Sequence, residues 1–178
     1  MDAAAERFYA EGIAATGIDV ITADAGVAKM SLYNNFASKA ELVEEYLIAR
    51  HDEWLGLYRR RAADADTPVE AALAVFDAYI DHAELGYVHG FRGCGLLNAA
   101  AELPAGAPGR LVVRRHKEQV EEILADHLRA LTDEECAASL AEHCSFLLEG
   151  AISRAGLEGR PERLVRARKI AAELVGAL

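Results

Sequence analysis

Apolar residues recur three and four positions apart along most of the chain, as in Leu42, Tyr46 and Leu47 or Leu73, Phe76, Tyr79 and Ile80, the spacing of one helix face. No stretch alternates apolar and polar residues long enough for a strand. At four candidate helix starts a hydroxyl residue is followed three positions later by an acid: Thr16 with Asp19, Ser38 with Glu41, Thr67 with Glu70, and Thr132 with Glu135. In that pattern a hydroxyl and a carboxylate satisfy the free N–H groups of a helix start. Pro68 strengthens the third, because proline at the first helical position gives up an N–H that would be unpaired anyway. With the Gly and Pro breaks, these signals predict nine helices, at 2–11, 18–25, 29–35, 39–61, 68–86, 94–102, 109–130, 133–154 and 161–177. The expected fold class is all-α. Short helices come first and mostly long ones follow, which divides the chain into an N-terminal unit over 1–46 and a bundle over 47–178, with the border inside the fourth helix.

Composition sharpens this picture. A chain of 178 residues that is 52% hydrophobic fills a core without disulfides or metals. Three cysteines are too few and too odd for a disulfide framework and fit a reducing compartment. The opening MDAAAERFYAEG is acidic where a secretory signal is basic then apolar, and no apolar run reaches a membrane span, so the expected location is the cytoplasm. The formal net charge of −10 means that any contact with nucleic acid is local.

Residues 18–36 supply such a place. A short helix, a turn at Ala25-Gly26-Val27 and a second short helix make a helix-turn-helix pattern, with Ile18, Ile21, Ala25, Val27, Leu32 and Phe36 as its expected small core. Positions 25–40 hold no acid, whereas Lys29 and Lys39 are basic. The run GIAATGIDVITADAGVAKMSLYNNFASK, from Gly12 to Lys39, resembles the DNA-binding domain of the tetracycline-repressor (TetR) family at Thr16, Ile21, the Ala25-Gly26-Val27 turn, Leu32, Tyr33, Phe36 and Lys39. The segment FRGCGLLNAAAE, 91–102, is similar to one found in many members.

That resemblance implies a double-stranded DNA operator as partner. It assigns phosphate contacts to Thr16, Tyr33 and Lys39, and places Lys29, Met30, Ser31 and Asn34 at base edges. Asn suits adenine, Lys suits guanine and Met suits a thymine methyl. Members usually have Ser or Thr where this chain has Ala28, which removes one cap and one phosphate contact, and often a small residue at Met30 and His at Asn34. The resemblance further implies a homodimer through residues 133–177 and a pocket for a small organic effector in the bundle. Candidate pocket residues are Trp54, Tyr58, Phe76, Tyr79, His82, Phe91, Asn98 and His116, a mostly apolar set with a few directed polar groups. The expected function is a ligand-responsive transcriptional regulator, a repressor released from DNA by its effector. The alternatives are a protein of this fold that acts through protein or ligand contacts without DNA, and a helical-bundle enzyme using His and Cys.

For enzymatic or metal chemistry the chain offers no motif. It has no Gly-rich phosphate loop and no nucleophile elbow, and no two His or Cys lie three or four residues apart to share an ion. No metal, catalytic residue or cofactor is expected. Cys94, flanked by Gly93 and Gly95, is the candidate reactive thiol.

Overall fold

The computed structural model describes residues 1–178. Nine helices form: α1 (Asp2–Glu11), α2 (Ile18–Asp24), α3 (Lys29–Tyr33), α4 (Lys39–Ala63), α5 (Pro68–Ala83), α6 (Gly95–Glu102), α7 (Pro108–Leu128), α8 (Glu134–Glu158) and α9 (Glu162–Val175). There are no strands, and no helix is long and apolar enough to cross a membrane.

The helix starts show which capping signals operate. At α5 the Thr67 hydroxyl accepts from the Glu70 amide while the Glu70 side chain accepts from the Thr67 amide, a complete reciprocal cap. At α4 the Ser38 hydroxyl accepts from the Glu41 amide, and the Glu41 carboxylate accepts from Ala37 rather than from Ser38. The α8 start is capped by Asp133, whose carboxylate accepts from the Cys136 amide, so the expected pairing of Thr132 with Glu135 gives way to the adjacent acid. At α2 the cap position falls to Gly17, and the Thr16 hydroxyl turns back to the Gly12 carbonyl.

Two helix ends differ from expectation by three or four residues. α5 stops at Ala83, ahead of Gly86, which adopts a φ of +70°. α8 runs on to Glu158, because its stop is Gly159 at φ +69°, a left-handed cap that glycine accepts without penalty. Gly156 lies inside that helix for a packing reason. A Cβ there would stand 2.6 Å from Gly93 Cα, so two backbones touch where only hydrogen fits.

The chain forms two compact units. The first joins Met1–Asp52 to Gly95–Arg115, and the second joins Glu53–Cys94 to His116–Leu178. The first unit thus takes in 95–115 beside the N-terminal residues. These residues join the first unit through close packing. A Cβ on Gly95 would meet Tyr46 Oη and the Tyr9 ring at 3.1 Å. Phe8 meets Tyr46 edge to face at 5.4 Å, and Leu42, Val43 and Leu47 of α4 complete the core. Within the helix-turn-helix itself only Ile21 and Leu32 are buried as expected. Ala25 and Val27 are exposed and Ile18 and Phe36 half-buried, around an apolar hollow of about 180 Å³ lined by Ile21, Leu32, Phe36 and Leu42 among others. A three-helix unit this small has too little interior to enclose them all.

In the second unit α9 packs on both α8 and α5. Its Arg168 guanidinium donates to both oxygens of Asp77 at 2.6 and 3.0 Å, a fork-to-fork geometry that fixes rotation as well as distance.

Candidate functional site

The five residues of α3 separate inside from outside. Leu32 is 7% exposed, whereas Met30 is 70% and Tyr33 42% exposed, and Lys29, Ser31 and Asn34 also face solvent. Ala28 stands at the N-cap with no side chain to offer, so the Ser31 amide bonds only to the Ala28 carbonyl. Of the predicted set, Lys29, Met30, Ser31, Tyr33 and Asn34 therefore form one open surface.

Its electrostatics differ from the linear sequence. Although residues 25–40 carry no acid, the helix-turn-helix brings Asp19 of α2 to 2.8 Å from Lys29 Nζ. The hydrogen bond and the charge of Asp19 raise the Lys29 pKa, holding the ammonium charged and occupied. No sequence pattern singled out Asp19 as its partner.

The other two predicted phosphate residues are tied to backbone. Thr16 is 1% exposed and its hydroxyl donates to the Gly12 carbonyl at 2.6 Å, so the expected phosphate bond from this side chain is replaced by an internal one. Lys39 is half-buried and donates to the Ile13 carbonyl at 2.6 Å, which leaves its other two N–H donors unassigned by that bond. Between them lies a contact absent from the sequence reading. The Glu102 carboxylate accepts from the Ile13 amide at 3.1 Å and from the Ala14 amide at 2.7 Å.

In the second unit, four predicted pocket residues gather. Trp54 stacks on Tyr58 at 5.7 Å and lies 5.3 Å from the rings of both Tyr79 and His116, and Tyr79 Oη is 3.3 Å from His116 Nε2. Two polar side chains unforeseen in the sequence, Lys117 and Glu149, join them together with Cys94. Lys117 Nζ is 2.7 Å from Glu149 Oε1, 3.3 Å from Tyr79 Oη and 3.8 Å from Cys94 Sγ. Burial pulls the Lys117 pKa down, but Cys94, Tyr79 and Glu149 outweigh it and hold the ammonium above its ordinary value. Burial raises the Tyr79 phenol strongly, with Lys117 opposing, so the hydroxyl stays protonated. Trp54 Nε1 and Glu149 Oε2 are buried without a hydrogen-bond partner. A second group brings His82 to 5.6 Å from Tyr87 and 6.2 Å from Phe91, while Phe76 is fully buried. Asn98 belongs to the other compact unit. No three acidic, His or Cys side chains converge to hold a metal ion.

Ala137, Leu140, Ala141, Cys144, Leu148 and Ala151 of α8, and Leu164, Ala167, Ala171 and Val175 of α9, are buried within the single chain. The α8 face left open is Ser139, His143, Phe146, Gly150, Ser153 and Leu157, spaced alternately four and three apart, with Phe146 63% and Leu157 88% exposed. That is the spacing of a helix-to-helix seam. Val165 and Leu174 of α9 are also exposed.

Known proteins resemble this chain in sequence and fold. Residues 1–46 match the family described as bacterial regulatory proteins, tetR family. A TetR-family transcriptional regulator from Streptomyces coelicolor superposes with a TM-score of 0.85 at 29% identity, covering 98% of this chain and 90% of that one. Regulatory protein TetR from Rhodobacter sphaeroides gives 0.78 at 28%, covering 97% and 94%. The HTH-type transcriptional activator FasR of Mycolicibacterium smegmatis is 36% identical over 88 residues, a match spanning 48% of this chain and 40% of that protein. The matched family and the superposed structures are those of transcriptional regulators. An N-terminal segment that matches this family's model, carried on a chain that superposes on TetR-family regulators, makes the protein similar in sequence and fold to TetR-family transcriptional regulators.

Proposed function

We propose that this protein is a homodimeric, cytoplasmic, ligand-responsive regulator that binds an operator through α3 and leaves it when a small organic effector binds the second unit. The observation that carries the reading is the open face of α3, where Lys29, Met30, Ser31 and Asn34 are exposed while Leu32 anchors the helix from behind. In this reading those four meet base edges in the major groove, and Tyr33 and Lys39 hold phosphate. Thr16 acts indirectly, by bracing the loop that leads into α2. Two copies paired through the open α8 seam and α9 would set two such faces one duplex turn, or a multiple of it, apart.

The effector site is assigned to the group around Trp54, Tyr58, Tyr79 and His116. Its polar margin at Lys117 and Glu149 suits a ligand with a few directed polar groups on an apolar body. A ligand acts only by binding one dimer shape better than the other.

Binding of the full-length protein to duplexes selected from a random pool, measured across salt, tests the reading. The wild type prefers selected over scrambled duplex, and its affinity falls steeply as salt rises. Lys39→Ala weakens all sequences alike and reduces the salt slope by about 1, whereas Asn34→Ala alters the preference. Equal affinity for selected and scrambled DNA overturns it. A promoter-reporter assay reads whether binding represses or activates, a point given weight by the activator among the relatives.

A further inference from the structure

We propose that Glu102, the last residue of α6, is a positioning residue for the DNA-reading head, gripping the loop that feeds α2 and α3. The inference rests on the operator-binding reading above.

The loop between α1 and α2 is held at every turn. The Ile13 peptide is bonded at both ends, its N–H to Glu102 and its carbonyl to Lys39. The next amide, of Ala14, takes the second Glu102 oxygen, so two consecutive N–H groups converge on one carboxylate. Gly12 makes room for this. Its φ is +94°, and a Cβ there would stand 2.6 Å from Glu102 Oε1. Thr16 then bonds back to Gly12, and α2 begins at Ile18. Little freedom remains between the carboxylate and the first turn of α2.

The other end of the connection is equally firm. Gly95 sits hard against Tyr9 and Tyr46 at the start of α6, and the Arg110 guanidinium caps its end by donating to the carbonyls of Ala100 and Leu103. A shift of the last turn of α6 by about 1 Å carries Glu102 beyond hydrogen-bond reach of one or both amides.

The test uses full-length protein and a duplex that the wild type selects from random sequence, at a temperature where every variant is folded. Glu102→Ala is expected to weaken binding to that duplex about tenfold, the loss of charge-assisted bonds to two amides. Amides of Ile13 and Ala14 exchange at least several-fold faster, while those of α8 do not change. Glu102→Gln, which keeps one acceptor oxygen, falls between wild type and Glu102→Ala in both readouts. That graded rescue supports a positioning role. If Glu102→Ala does not fold, Glu102→Gln alone must show weaker binding and faster exchange at Ala14. Wild-type affinity in the variants, whether or not exchange accelerates, overturns the inference and leaves operator binding standing. A wild type that prefers no duplex removes the operator-binding reading itself, and this inference with it.

Discussion

Lys117→Met tests the energetics of the buried polar group in the second unit. The change keeps the aliphatic stem and deletes the ammonium that sits 2.7 Å from Glu149 Oε1, between side chains 20% and 33% exposed. Removing one partner of a fully buried ion pair costs about 3–5 kcal/mol, because the survivor is a charge without compensation. Residual water access at both side chains reduces the expected cost here to about 2 kcal/mol. Glu149 is poorly placed to recover, since its second oxygen is already buried and unpartnered. For a chain of this length the loss corresponds to a fall in Tm of about 4–8 °C. Removing both charges in Lys117→Met/Glu149→Leu is expected to return stability to within about 1 kcal/mol of wild type. Urea unfolding followed by the fluorescence of Trp54, the chain's single tryptophan, measures Lys117→Met, Glu149→Leu and the double variant against wild type. A single variant within about 0.5 kcal/mol of wild type, or a double variant as weak as the sum of the two singles, refutes the reasoning.

Three further outcomes are expected. Asp19→Asn frees Lys29 from its 2.8 Å partner and removes a like charge from the DNA-facing side, so affinity for both selected and scrambled duplex rises, most at low salt; fluorescence anisotropy reads this, and unchanged affinity counts against Lys29 as a DNA contact. Phe146→Glu combined with Leu157→Glu places charge on the open α8 seam and shifts the protein to monomer in analytical ultracentrifugation, with the far-UV spectrum retained; a persistent dimer locates the interface elsewhere. His127 bonds to Tyr58 Oη at 2.6 Å, and burial lowers its pKa below the ordinary 6.5 against the pull of Asp126. The folded chain therefore takes up this proton at lower pH than the unfolded one, so the stability contribution is full above pH 6.5 and is lost as pH falls below it; His127→Asn flattens that slope in denaturation midpoints between about pH 7 and 5.

These tests fall on contacts that sequence conveyed unequally. Helices and the turn between α2 and α3 were legible because their signals are local: a hydroxyl and an acid three residues apart, apolar residues at helical spacing, a glycine that can turn. Locality also explains the misreadings. Thr16 and Thr132 carry the same short pattern as Thr67, yet Gly17 and Asp133 take the cap positions, because neighbouring residues compete for one backbone geometry. The acid-free stretch from 25 to 40 was correct as sequence and incomplete as electrostatics, since the angle between two helices delivers Asp19 from outside it. Lys117 with Glu149, and Glu102 with Ile13, join residues from distant helices, and a side chain bonding to a backbone amide leaves no pattern in either partner. Glu102 nevertheless carried a trace. A carboxylate at the last residue of a helix faces the negative end of the helix dipole, an unfavourable place unless something outside the helix holds it. Two amides of a distant loop supply that hold, so an acid at the wrong end of a helix is itself a reason to look for its partner elsewhere in the chain.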